Sequence, residues 1–130
     1  MAKILIIDDD PAIRRLLHRT LGDAGHEVVE AANGYEGVRK FRAAPPDLVI
    51  TDIIMPEQEG VQTIREIRAL GSDVAILAIS GGGIGGAALY LTVAEELGAD
   101  AALPKPFRPR ELMAVVDKLL DPARPAPRAG

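Results

Sequence analysis

The sequence predicts a doubly wound α/β domain, in which helices cover both faces of a five-stranded parallel sheet. Five short, mainly apolar runs alternate along the chain with five segments whose apolar residues recur at helical spacing. Several of these runs are almost continuously apolar, which is typical of strands that are buried on both faces. Because a helical segment follows each run, the connections are crossovers and the sheet is parallel.

The strand-like and helix-like segments follow one another in a regular order. The predicted strands cover residues 3–8, 27–31, 47–52, 74–80 and 101–104. The apolar positions that mark the five helices are Ile13, Leu16, Leu17 and Leu21; Val38 and Phe41; Val61, Ile64 and Ile67; Tyr90, Val93, Ala94 and Leu97; and Leu112, Val115, Val116, Leu119 and Leu120. These segments place the domain at residues 1–120.

Capping signals support the first two helices. Asp10 is an N-cap residue and Pro11 occupies the first helical position, so the first helix covers 11–21. Asn33, followed by Glu36, begins the second helix in the same way. After the fifth helix, residues 121–130 are rich in Pro, Ala and Arg, and we interpret them as a disordered tail or the start of a linker.

Composition excludes several classes of protein. The 130-residue chain contains no cysteine, and therefore neither disulfides nor thiolate metal sites. No apolar run approaches the roughly 20 residues that cross a bilayer, and no signal peptide is visible, so we expect a cytoplasmic protein without membrane contact. The net charge of −4, without a long charge run, does not favour direct binding of nucleic acid.

Polar side chains follow four of the five predicted strands. Asp8 ends the first strand with Asp9 directly after it, Asp52 ends the third, Ser80 ends the fourth and Lys105 follows the fifth. Ligands of open parallel sheets bind at the carboxyl ends of the strands. If the first and third strands are neighbours, the three carboxylates converge in one cleft.

Three adjacent carboxylates repel one another, and a hard divalent cation such as Mg²⁺ relieves that repulsion. Ser80 could donate a hydrogen bond to an oxyanion, and Lys105 could pair with one. This combination suits phosphoryl transfer, in which an aspartate such as Asp52 can itself be the nucleophile. We interpret the neighbouring Asp10 as a helix cap rather than as a metal ligand.

Four motifs in this order carry a family resemblance: "IIDDD", "DIIMPEQEG", Ser80 and "LPKPF". Over residues 3 to about 120 the chain resembles a response-regulator receiver domain and is similar to the single-domain chemotaxis regulators. The resemblance implies a flavodoxin-like three-layer fold with strand order 2-1-3-4-5. It also implies a phosphoprotein of a two-component phosphorelay, and not an enzyme.

The resemblance implies a role for each residue of the cleft. Asp52 is expected to accept a phosphoryl group from a histidine kinase or phosphotransfer protein. Asp8 and Asp9 are expected to hold Mg²⁺ together with Asp52 and the backbone carbonyl of Ile54, with Asp9 the more direct ligand of the acidic pair.

Two further residues complete the implied phosphorylation site. Ser80 is expected to move towards the phosphoryl group, and Lys105 is expected to pair with it. The Lys105–Pro106 peptide bond is expected to be cis, as in the family.

The chain departs from the family pattern in three places. Receivers commonly carry an aromatic residue three positions before the lysine, where this chain has Ala102. The glycine-rich loop 81–86 makes the Ser80-to-Lys105 connection longer than usual, and we hypothesise that it orders on phosphorylation. Ile54 and Gly82 offer no polar group to orient a water molecule, which predicts slow self-dephosphorylation.

Other functions remain open at this point. Gly81, Gly83 and Gly86 match G-x-G-x-x-G, but the next strand ends in Lys105 rather than in an acid, which argues against a dinucleotide site. One alternative is a protein-interaction module that is not phosphorylated, and a less favoured one is a Mg²⁺-dependent phosphohydrolase.

We expect the receiver to signal to a downstream protein target through the strand 4–helix 4–strand 5 region, as a monomer or weak dimer. The sequence leaves open whether it acts alone or is part of a longer protein.

Overall fold

The computed structural model describes residues 1–53, 60–81, 92, 95–96 and 98–121. Its strands are β1 (Lys3–Ile7), β2 (Glu27–Ala31), β3 (Leu48–Asp52), β4 (Ala75–Ser80) and β5 (Ala101–Pro104). Its continuous helices are α1 (Pro11–Asp23), α2 (Gly34–Ala43), α3 (Gly60–Ala69) and α4 (Pro109–Leu120). The strands form one parallel sheet in the order β2-β1-β3-β4-β5, which confirms the predicted topology.

The predicted helix between β4 and β5 lies largely outside the described residues. Only Thr92, Glu95 and Glu96 of that segment are described, and all three are helical. The glycine-rich loop is described only at Gly81. None of the described helices has the length and apolar character required to cross a membrane.

The element boundaries differ slightly from the predicted ones. β1 ends at Ile7 rather than at Asp8, although the Asp8 amide still donates a 3.1 Å hydrogen bond to the Ala31 carbonyl. β3 and β4 each begin one residue later than predicted. α1 continues to Asp23, two residues beyond its predicted end, because the first glycine with a positive φ angle is Gly25, at +93°.

The predicted N-caps of α1 and α2 are confirmed. Asp10 accepts a 2.9 Å hydrogen bond from the amide of Ala12, and Asn33 accepts one of 2.9 Å from the amide of Glu36. These bonds satisfy backbone donors that would otherwise lack a partner at the helix start. The cap at Asp10 also fixes the point where the chain leaves the edge of the sheet.

The sheet separates two apolar clusters, which explains why its central strands read as continuous apolar runs. One face of β1, β3 and β4 packs against α1 and α4, mainly through Ile4, Ile6, Leu17, Leu21, Leu48, Ile50, Leu77, Leu112 and Val116. The other face packs against α2 and α3 through Leu5, Ile7, Phe41, Val49, Ile64, Ile67 and Ile76. Leu16, which the periodicity placed with Leu17 on the buried face, is 37% exposed because it lies at the edge of that face.

α2 packs directly on β1 at Gly37. A β-carbon placed on Gly37 would be 2.7 Å from Cγ1 of Ile7, a side chain that is fully buried. Since Ile7 cannot retreat into solvent, the absence of a side chain at position 37 is what allows this packing. The contact holds α2 against the strand that leads to Asp8.

Arg68, near the end of α3, ties that helix to the amino-terminal edge of the sheet. Its Nε and Nη2 atoms donate to the carbonyl of Gly98 at 3.1 and 2.7 Å, and Nη1 donates to the carbonyls of Ser72 and Val74 at 3.1 and 2.7 Å. Nη2 also pairs with Oδ2 of Asp100 at 3.0 Å. All five N–H donors of the guanidinium group are therefore used.

Candidate functional site

The acidic residues predicted to meet at the carboxyl edge of the sheet do so. Carboxylate oxygens of Asp8, Asp9 and Asp52 all lie within 4.8 Å of one another. Asp8 is fully buried and Asp52 is 5% exposed, whereas Asp9 is exposed. Two of the carboxylates thus lie inside the edge of the sheet, and the third faces solvent, where a hydrated cation could approach.

Lys105 lies between the two buried carboxylates. Its Nζ atom is 3.0 Å from Oδ2 of Asp8 and 3.4 Å from Oδ2 of Asp52. Burial alone lowers the pKa of Lys105, but the hydrogen bond and charge of Asp8, together with Asp52, outweigh it and raise that pKa above 10.5. The ammonium group is therefore charged at neutral pH.

The backbone around Lys105 is fixed as well. The Lys105–Pro106 bond is cis, as expected. The Lys105 amide donates a 2.8 Å hydrogen bond to the carbonyl of Ser80, which binds the end of β5 to the end of β4. This bond sets the point from which the lysine side chain reaches the carboxylates.

The ionised form of the buried Asp8 carboxylate is disfavoured. Its Oδ1 accepts a 2.9 Å hydrogen bond from the amide of Asp10, and its Oδ2 faces Lys105. Burial nevertheless raises the pKa of Asp8 above its usual 3.8, because the Asp10 amide and Lys105 only partly offset the lost hydration and the charge of Asp9 adds to the effect. A further cation at this place would stabilise the ionised form.

Ser80 lies beside the strand end that carries Asp52, whereas Asp10 caps α1. Ser80 is fully buried at the end of β4, one residue beyond Ile79, which pairs with Asp52 in the sheet. Asp10 uses Oδ1 to cap α1 through Ala12. The structure therefore places Ser80 beside the strand end that carries Asp52 and gives Asp10 the capping role predicted for it.

Ala102 lies in β5, where it pairs with Ala78 of β4, and it is half-buried. Its methyl group can make neither the ring stacking nor the hydroxyl contact of the aromatic residue common at this position. Two other predicted features, the Ile54 carbonyl and Gly82, lie outside the described residues.

Sequence reasoning missed one residue that contacts this edge of the sheet. Arg14 of α1 donates a 2.7 Å hydrogen bond from Nη1 to the backbone carbonyl of Asp8, and its Nε lies 3.3 Å from Oε1 of Glu30. A positive charge near the start of a helix is unfavourable because of the helix dipole. Arg14 at this position is therefore a weak indication that a nearby acceptor binds its side chain.

Comparison with known proteins agrees with this geometry. A family model described as the response regulator receiver domain matches residues 4–117. The chain is 41% identical over 118 residues to a probable transcriptional regulator, ycf27, of Cyanophora paradoxa, covering 91% of this chain and 48% of the relative. It is 34% identical over 128 residues to the response regulator MprA of Mycolicibacterium vanbaalenii, covering 98% and 54% respectively. The chain thus spans about half the length of these curated relatives.

Solved structures give the same result. The chemotaxis protein CheY4 of Vibrio cholerae is 32% identical, with a TM-score of 0.84 over 92% of this chain and 99% of that one. A CheY-like receiver domain protein from Methanospirillum hungatei is 30% identical, with a TM-score of 0.85 over 93% and 94%. With the strand order and the acidic edge described above, these matches show that the chain belongs to the response regulator receiver domain family.

Proposed function

We propose that this receiver accepts a phosphoryl group on Asp52 from the phosphohistidine of a histidine kinase or phosphotransfer protein. The observation that carries the proposal is the position of Asp52. Its carboxylate ends a central strand, lies 3.4 Å from the Lys105 ammonium and shares one edge of the sheet with two further carboxylates. A nucleophile placed beside a fixed cation suits phosphoryl transfer, where positioning and charge neutralisation dominate.

The transfer is a displacement at phosphorus. A carboxylate oxygen of Asp52 forms the new P–O bond while the P–N bond to the donor imidazole breaks, and the imidazole leaves with the electron pair and takes up a proton. Lys105 pairs with the negative charge on the phosphoryl oxygens. Ser80 donates a hydrogen bond to one of those oxygens after transfer. This bond couples phosphorylation to the conformation of β4 and β5.

The residues present fit Mg²⁺ at this site. Asp8, Asp9 and Asp52 offer hard oxygen ligands, and Mg²⁺ usually takes one or two carboxylates and keeps several waters. We propose that Asp9, as the exposed carboxylate, is the more direct ligand of the acidic pair and that the carbonyl of Ile54 contributes. The bound ion would supply positive charge that neutralises the phosphoryl oxygens.

The proposed output is a change of conformation around β4, β5 and the segment between them, read by a downstream protein. Receiver domains interact with histidine kinases and downstream effectors, and a cytoplasmic location fits such partners. We propose residues 1–120 as the receiver and 121–130 as a tail or linker. Because Ala102 replaces the usual aromatic residue, the backbone at Ser80 and Lys105 would carry the signal rather than a rotating ring.

We propose stoichiometric labelling followed by slow loss of the phosphoryl group, and not catalytic turnover. The alternative of an interaction module without phosphorylation is favoured only by Ala102. A Mg²⁺-dependent phosphohydrolase is the less favoured alternative, since the described residues form no cap domain over the acidic edge.

Intact mass after incubation with acetyl phosphate and Mg²⁺ tests the proposal. The wild type should gain one phosphoryl group, and Asp52→Asn should gain none. Multiple turnover of small phosphate esters would support the hydrolase instead. If neither a phosphoryl adduct nor bound beryllofluoride is found with the wild type, the domain is a docking module and the proposal is wrong.

A further inference from the structure

Hydrogen bonds fix the turn from Asp8 to Asp10 against several neighbouring parts of the chain. The Asp8 amide donates to Ala31 of β2, Oδ1 accepts from the Asp10 amide, and Oδ2 faces Lys105. The carbonyl oxygen of Asp8 is bonded differently, since it accepts from the side chain of Arg14 at 2.7 Å. The amides of Ala12 and Arg14 in α1 bond to Asp10, and the Arg14 side chain adds a contact from α1 to the carbonyl of Asp8.

Arg14 is itself fixed from the other side. Its Nε lies 3.3 Å from Oε1 of Glu30, which belongs to β2, and Oε2 of Glu30 lies 2.6 Å from Nδ1 of His18, one turn further along α1. The Arg14 side chain is only 20% exposed. A planar guanidinium group with both ends engaged has little freedom to move, so it acts as a brace between β2 and the acidic turn.

We propose that Arg14 is a positioning residue for the cation site, which holds the Asp8–Asp10 turn in the geometry that presents the carboxylates of Asp8 and Asp9. This inference rests on the Mg²⁺ site of the proposed function. Residues that orient metal ligands typically change metal affinity by 10- to 100-fold when they are replaced.

Loss of the charge of Arg14 and loss of its hydrogen bonds are expected to change Mg²⁺ affinity in opposite directions. A positive charge near a cation site repels the cation, so removing it should tighten Mg²⁺ binding if electrostatics dominates. Removing the brace should weaken binding, because the turn is then less well fixed. The sign of the change therefore separates positioning from a simple charge effect.

The test is Mg²⁺ titration of the purified protein by calorimetry, comparing the wild type with Arg14→Met and Arg15→Met. Methionine preserves much of the arginine stem and removes the donors and the charge. Arg15 is the matched control, since it is the next residue of α1, is exposed and loses the same charge. We expect Arg14→Met to weaken Mg²⁺ binding about tenfold and Arg15→Met to leave it unchanged or slightly tighter.

Two milder variants keep the test decisive if Arg14→Met folds poorly. Glu30→Gln leaves arginine in place and removes the ion pair, so we expect a smaller loss of Mg²⁺ affinity in the same direction. Arg14→Lys keeps the charge, but one ammonium group cannot reproduce the planar fork between Asp8 and Glu30, so its affinity should lie between those of the wild type and Arg14→Met. Circular dichroism confirms folding in each case.

A second measurement does not depend on the metal. The amide of Asp10 donates to Oδ1 of Asp8, so amide exchange at Asp10 in metal-free protein reports how well the turn is fixed. We expect faster exchange in Arg14→Met than in Arg15→Met. Equal exchange in the two variants would overturn the positioning role.

The outcomes of the titration separate the two proposals. Unchanged or tighter Mg²⁺ binding by Arg14→Met overturns the role of Arg14 and leaves the phosphorylation proposal intact. A wild type that binds no Mg²⁺ contradicts the proposed cation site and the role of Arg14 in it.

Discussion

The ammonium group of Lys105 lies 3.4 Å from a carboxylate oxygen of Asp52, although 53 positions of sequence separate the two residues. Asp52 ends β3 and Lys105 follows β5, so β4 lies between their strands in the sheet. The lysine side chain therefore reaches across the end of β4 to meet the aspartate. The parallel order of the strands is what gives the candidate nucleophile a fixed positive neighbour.

Replacing Lys105 tests that contact. We expect Lys105→Met to slow labelling by acetyl phosphate by at least about tenfold, because a fixed charge that stabilises the phosphoryl oxygens is lost. Lys118→Met, an exposed lysine of α4, removes the same charge and serves as the control. A time course of intact mass provides the rates. Equal rates for Lys105→Met and Lys118→Met would exclude a part for Lys105 in the transfer.

The neighbours Asp9 and Asp10 allow a matched comparison of metal binding. Asp9→Asn removes an exposed carboxylate of the cluster, and we expect Mg²⁺ affinity to fall at least about tenfold. Asp10→Asn makes the same charge change, but asparagine caps a helix as well as aspartate does, so both Mg²⁺ binding and α1 should be preserved. Calorimetric titration checks this, and equal losses in the two variants would show that only net charge matters.

Arg68 should contribute more to stability than any exposed arginine. We expect Arg68→Met to lower the free energy of unfolding by about 3 kcal/mol, because Asp100 and several backbone carbonyls lose their donor in a largely buried place. The control is Arg65→Met, an exposed residue of the same helix, which should change stability by less than about 0.5 kcal/mol. Urea denaturation measures both. Mg²⁺ affinity should stay constant, since Arg68 lies at the opposite edge of the sheet.

The close approach of α2 to β1 predicts a packing defect. Gly37→Ala should destabilise the domain by about 1–2 kcal/mol, since the clash with Ile7 outweighs the helix propensity gained. Gly22→Ala in α1 is the matched control, because its β-carbon would be 3.9 Å from the nearest atom, a carbon of His18, and it should stabilise slightly. Ile7→Val in the Gly37→Ala background should recover part of the loss. Thermal denaturation distinguishes the variants.

Glu36 gives a pH-dependent contribution to stability. The hydrogen bond from Lys40 is the main reason why the pKa of Glu36 lies below 4.5, and partial burial opposes this shift. A lowered pKa means that this stabilisation is present above the unfolded-state value and is lost as pH falls through the folded-state value. We expect Glu36→Gln to cost about 0.5 kcal/mol at pH 7 and the difference from wild type to shrink as the pH is lowered below 4.5. A series of urea denaturations over this pH range checks this, and a constant difference would contradict it.

The sequence predicted the features that depend on local pattern. Apolar spacing predicted the strands and a parallel sheet, cap residues predicted where α1 and α2 begin, and the strand order came from the resemblance to receiver domains. The meeting of Asp8, Asp52 and Lys105 followed from the rule that parallel strands end at a common edge.

Contacts made by long side chains were not predictable in the same way. Arg14 and Arg68 reach acceptors through several rotatable bonds, and Arg68 finds Asp100 across 32 positions of sequence. Neither contact has a spacing that a pattern could reveal. Leu16 was misplaced for a related reason, because periodicity defines the centre of a buried face better than its edge.

Hydrogen bonds to β4 hold the chain just before and just after β5. The Asp100 amide donates to the carbonyl of Ile76 at 2.9 Å, and the Lys105 amide donates to that of Ser80 at 2.8 Å. The position of Lys105 is therefore set by β4 itself and not by the length of chain that leads to it. We therefore expect the chain between Gly81 and Gly98 to tolerate insertions and deletions while the 3.4 Å distance between Lys105 and Asp52 is kept.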